Sequence, residues 1–98
     1  MYGMKNTVVL QKPEADGLKG VRWSFYLLDS VLVVDSYEEY ERASKRHKPR
    51  TVKHWSRLNK RDSTMPQEDV PLTPEIMAEA KAQYLAELES KLSVGFQR

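Results

Sequence analysis

A chain of 98 residues, 40% hydrophobic and 31% charged, has material for one small domain with a thin core. It contains no cysteine, which excludes disulfide staples, a thiolate nucleophile and cysteine-ligated zinc. The net charge of +2 at pH 7 hides a concentrated positive centre between two acidic flanks.

In chain order, Thr7 to Leu10 is a short β-branched run, and Pro13 to Gly20 reads as a loop from its Pro and Asp-Gly content. Val21 to Leu28 alternates, with Val21, Trp23, Phe25 and Leu27 on one side, which predicts a strand with one face in the core. Asp29-Ser30 supplies a two-residue turn without glycine, and Val31 to Val34 pairs back. For 36–46 the spacing favours a short helix. Ser36 and Glu39 fit a capping box, and Glu38 with Arg42 and Glu41 with Lys45 are favourable pairs one turn apart. The competing assignment continues the strand through Tyr37 and Tyr40 and opposes Glu39 and Glu41 to a later basic strand. Arg50 to Leu58 alternates again, with Val52, His54, Ser56 and Leu58 on one face and Thr51, Lys53, Trp55 and Arg57 on the other, as in a charged edge strand.

Asn59 to Leu72 has no periodicity, and 62–72 is expected to be a proline-containing linker. Thr73-Pro74-Glu75 then opens a helix over 73–94: a capping threonine, proline at the first helical position and an acid near the positive helix end. Ile76, Met77, Ala80, Tyr84, Leu88 and Leu92 recur at threes and fours, Leu85 widens the stripe, and Gly95 is the expected stop. The expected fold is α+β: an antiparallel sheet of three or four strands with a long C-terminal helix, in a single domain whose strand-rich part is 1–61.

Nine of the sixteen basic residues lie between Arg42 and Arg61: Arg42, Lys45, Arg46, Lys48, Arg50, Lys53, Arg57, Lys60 and Arg61. No acid interrupts them. Such a segment speaks of a negative partner, either nucleic acid or an acidic protein surface; Trp55 in its middle could stack on a base, but a lone aromatic on an edge strand is more often core. The bland alternative is a solvated surface that balances the acidic flanks. His47 and His54 are seven apart with no carboxylate between them, a spacing unsuited to zinc, so no metal or other cofactor is expected. Glycines at 3, 17, 20 and 95 make no phosphate loop, and no nucleophile–base pair is arguable from spacing, so no enzyme is expected.

Two further contact elements stand out. Met65-Pro66 and Val70-Pro71 form an extended recognition strip that a prolyl isomerase could bind, against the plainer role of a spacer. Leu85, Leu88 and Leu92 overhang a sheet this small and offer a helix-in-groove contact or a dimer seam. The longest apolar runs, Phe25 to Leu28 and Val31 to Val34, are four residues each, so no membrane association is expected.

The segment KRHKPRTVKHWSRLNKRDSTMPQEDVPLTPE, set between an aromatic hairpin and a terminal helix, resembles small accessory proteins of tailed phages. The likeness is to the anti-RecBCD class of lambdoid phages, and it covers length, basic centre, proline linker and terminal helix rather than a diagnostic motif. The resemblance implies a non-enzymatic modulator, working in the host bacterial cytoplasm. It would bind the RecBCD helicase–nuclease through its RecC subunit and alter DNA-end processing and recombination. Direct nucleic-acid binding by 42–61 is the alternative, and an anti-CRISPR-like inhibitor shares the same physical description.

Overall fold

The computed structural model describes residues 7–96, of which 91–96 are described by backbone alone. Four strands, β1 (Thr7–Pro13), β2 (Lys19–Leu28), β3 (Val31–Glu41) and β4 (Arg50–Ser56), form an antiparallel meander in the order β1-β2-β3-β4. Two 3-10 turns (Lys60–Asp62 and Gln67–Asp69) lead to one helix, α1 (Pro74–Phe96). The fold is the expected α+β class. Among the described residues no helix is long and apolar enough to cross a membrane.

The alternation seen in the sequence sets the core face. Val8 and Leu10, Trp23 and Phe25, Leu32 and Val34, and Tyr37 and Trp55 are all buried in one cluster. Cross-strand register aligns Trp23 with Tyr37 and Tyr37 with Trp55, which makes an aromatic row across three strands. The Trp23 and Tyr37 rings sit 5.5 Å apart at a tilt of 50°, a favourable geometry for aromatic pairs. Burial, and then the hydrogen bond and charge of Glu39, push the Tyr37 phenol far above its ordinary range. Its hydroxyl donates to Glu39 Oε2 at 2.7 Å.

The roof over this face comes from two segments. Ala80 and Val70 are buried in the cluster, with Ile76, Met77, Tyr84 and Met65 packed against it. Thr73 caps α1 as expected, its Oγ1 accepting from the Ile76 amide at 3.2 Å. The helix continues through Gly95 to Phe96, so Gly95 does not stop it. The segment expected as a linker is a packed strap. Val70 is 7% exposed, and the Pro71 carbonyl accepts from Trp23 Nε1 at 3.0 Å. Its lack of period reflects burial by single side chains rather than by a face.

Residues 36–46 correct the sequence expectation, because the chain remains strand to Glu41. Helical pairs are worth only about 0.3–0.5 kcal/mol each. Burial of Tyr37 and Tyr40 and the cross-strand partners of the acids outweigh them. Glu38 meets Arg22 and accepts from Thr51 Oγ1, and Glu41 meets Arg50. The boundaries of the first hairpin also move, β1 running on to Pro13 and β2 starting at Lys19, so the loop is 14–18. Gly20 lies under the Tyr40 ring, where a Cβ would come within 2.7 Å of Cζ and 2.9 Å of the Pro13 Cα. Only glycine fits there.

Candidate functional site

β3 and β4 are joined by the loop 42–49, which carries the densest part of the basic segment. Its base is anchored by the β1–β2 loop. The Arg42 amide donates to the Leu18 carbonyl at 2.8 Å, and Arg42 Nε donates to the Gly17 carbonyl at 2.9 Å. Gly17 takes a left-handed φ of +74°, which suits glycine, and Asp16 Oδ1 accepts from the Leu18 amide at 2.8 Å. Within the loop Ser44 organises the turn. Its carbonyl accepts from the His47 amide at 3.0 Å, its hydroxyl shares a 2.6 Å hydrogen bond with His47 Nδ1, and the Arg46 amide reaches Ser44 Oγ at 3.3 Å. Lys45, Arg46 and Lys48 are left exposed around it. Arg42, His47, Lys48 and Arg50, with Glu41 at the rim, line a depression of about 510 Å³.

Beyond the loop the cations follow β4. Arg50 pairs with Glu41 at 2.8 Å, and Lys53 lies opposite Glu39 in register. The Arg57 guanidinium stands 4.7 Å over the Tyr26 ring, a cation–π contact. Lys60 and Arg61 are exposed on the first 3-10 turn. Among the described residues, Arg50 alone of the nine cations forms an ion pair with a carboxylate of the chain. The acidic flanks therefore do not neutralise the segment. Two of their acids pair outside it, Glu38 with Arg22 and Glu79 with Lys12 at 2.7 Å.

Other singled-out residues land differently. Trp55 is 4% exposed and belongs to the aromatic row, so its ring is closed to a base. A bulge at Val52, which has no partner between Lys53 and Thr51, breaks the alternation, so that Val52 lies beside Val21, Glu39 and Tyr40 while His54 lies beside Arg22, Ser24 and Glu38. His54 is half-buried on the opposite face of the strand from Trp55. Its backbone is covered by Thr64, whose Oγ1 accepts from the His54 amide at 2.9 Å and whose amide donates back to the His54 carbonyl at 2.7 Å. The proline strip is divided. Val70 is in the core and Met65 is half-buried against it, whereas Pro66 and Pro71 are exposed, the Pro71 carbonyl being taken by Trp23. A partner reading Val70-Pro71 would have to lift the strap off the core. Leu85 is exposed and Leu88 half-buried, while the Leu92 side chain lies outside the described residues.

Sequence reasoning passed over Ser44 and Gly17, the residues that shape and brace the loop. Asp16-Gly17 and the serine directly before Lys45-Arg46 were the available signals. Chemically, the arrangement is a set of uncompensated cations on an anchored hairpin, suited to holding anionic oxygens by charge-assisted hydrogen bonds. Among the described residues no three His, Asp or Glu side chains gather as a metal site. No protein-family model, curated protein or solved structure matches the chain.

Proposed function

We propose that this chain is a non-enzymatic docking protein that uses the β3–β4 hairpin to grip an acidic surface on a larger DNA-processing protein. The observation that carries the proposal is the unpaired state of the hairpin cations, Lys45, Arg46 and Lys48 above all, on a loop braced by Gly17 and Leu18. Backbone hydrogen bonds to the loop reduce the main-chain ordering that binding requires, and its exposed cations steer encounter with a negative face. One feature favours protein over nucleic acid: the buried Trp55 supplies no stacking platform. The resemblance to anti-RecBCD proteins makes the host RecBCD helicase–nuclease, through RecC, the first partner to test.

A second reading, direct nucleic-acid binding, draws on Lys60 and Arg61. They form a second cationic group at the far end of β4, about 20 Å from the loop. Purified RecBCD and a labelled duplex separate the two. Docking on the enzyme gives a stoichiometric complex that survives nuclease treatment, feeble binding to free duplex, and altered end degradation that Arg46→Glu with Lys48→Glu abolishes. A log–log salt slope near about −4 on free duplex, with no enzyme complex, would transfer the function to nucleic acid.

A further inference from the structure

α1 outruns the sheet. Glu79 meets Lys12 and the Gln83 side chain donates to the Val9 carbonyl, so the helix runs antiparallel to β1 toward the β2–β3 turn. Tyr84 and Leu85 reach that turn, where they line an apolar groove of about 340 Å³ with Leu27, Val31 and Leu32. The helix then continues from Ala86 to Phe96, about 16 Å further. The radius of gyration, 15.5 Å, exceeds the roughly 13 Å of a compact chain this long. Apolar surface collects where the helix leaves the sheet, Leu85 being 55% exposed and Val31 59%. On the same stripe Lys81 sits one turn before Leu85 and Glu89 one turn after it. Both are exposed, and neither forms an ion pair among the described residues.

We propose that this stripe is a homodimer seam, with α1 packing antiparallel on α1 of a second copy about a two-fold axis at Leu85. Self-complementarity selects the occupant. A two-fold axis at Leu85 brings each residue opposite the one equally far on its other side, so Lys81 of each copy meets Glu89 of its mate, twice per dimer. Parallel packing would set Lys81 on Lys81 and Glu89 on Glu89. Leu85 meets its twin at the centre, and Leu88 and Val31 extend the apolar patch. The basic loop lies at the opposite end of β3 from this seam, so the dimer presents two cationic hairpins pointing away from each other. A partner with two acidic patches would then be held bivalently.

Sedimentation equilibrium on the full chain tests the seam. The wild type forms a dimer at micromolar concentration, and Leu85→Glu gives a folded monomer by circular dichroism. Lys81→Glu and Glu89→Lys each weaken the dimer by about tenfold or more, since each places two like-charge pairs at the seam. The double variant, with the charges exchanged, recovers wild-type association. Three outcomes overturn the proposal: a wild type that stays monomeric to about 100 μM, a larger assembly, or a double variant no tighter than the singles. The first would give the stripe to a foreign helix or to the chain's own termini.

Discussion

The two hairpins that share β3 use it in opposite ways. The β2–β3 hairpin closes on two residues, Asp29 and Ser30, both left-handed at φ 50° and 67°, and its strands carry Phe25, Leu32 and Val34 into the core. The β3–β4 hairpin closes on eight residues, 42–49, and surrounds them with cations that find almost no acid in the chain. One end of the strand is spent on packing, and the other is the end proposed for contact. Stability and binding should therefore respond to different substitutions, and the contrast can be pressed from both ends.

Packing changes have the largest expected effect. Phe25→Ala empties a fully buried position and should cost about 3–5 kcal/mol in denaturant unfolding. Val70→Ala should cost about 2 kcal/mol, far more than truncation in a free linker, because the strap roofs the core. Arg46→Glu with Lys48→Glu should move unfolding by no more than about 0.5 kcal/mol per site while removing partner binding. At the tight turn Ser30→Gly should stabilise by about 0.5–1 kcal/mol, since glycine takes the left-handed conformation without a Cβ clash. An unchanged or lower unfolding midpoint would contradict this.

A different kind of effect is a pH dependence carried by the aromatic row. The Tyr37 phenol titrates higher in the fold than in the unfolded chain, where its ordinary value is 10.0. The folded state thus favours the neutral form. That contribution is complete below pH 10 and fades as pH rises above it. Urea midpoints of the wild type and Tyr37→Phe, compared at about pH 8 and about pH 11, should converge at the higher pH. A constant gap would contradict the assignment.

What could be read in advance follows the range of the interactions responsible. The β2–β3 hairpin and the start of α1 are written locally, in alternation around Asp29-Ser30 and in Thr73-Pro74-Glu75. The second half of β3 is not. Its helical signals lie within 36–46, whereas its strand partners Arg22, Arg50 and Thr51 are far along the chain. Bulges at Asp35 and Val52 add a second obstacle, because each breaks the two-residue count by which faces are assigned. The basic segment was legible as charge. That Gly17 would brace its loop depended on a contact between two distant loops, whereas Ser44 acts locally through Arg46 and His47.

The claim on which the rest depends is that the hairpin cations serve contact and not folding. The most direct measurement takes Arg46→Glu with Lys48→Glu and records, on one preparation, its thermal midpoint and its affinity for purified RecBCD. The account requires a midpoint within a few degrees of wild type and affinity lower by about a hundredfold or more, which corresponds to about 2.7 kcal/mol. A lowered midpoint with affinity intact would mean that these side chains hold the molecule together and that the contact surface lies elsewhere.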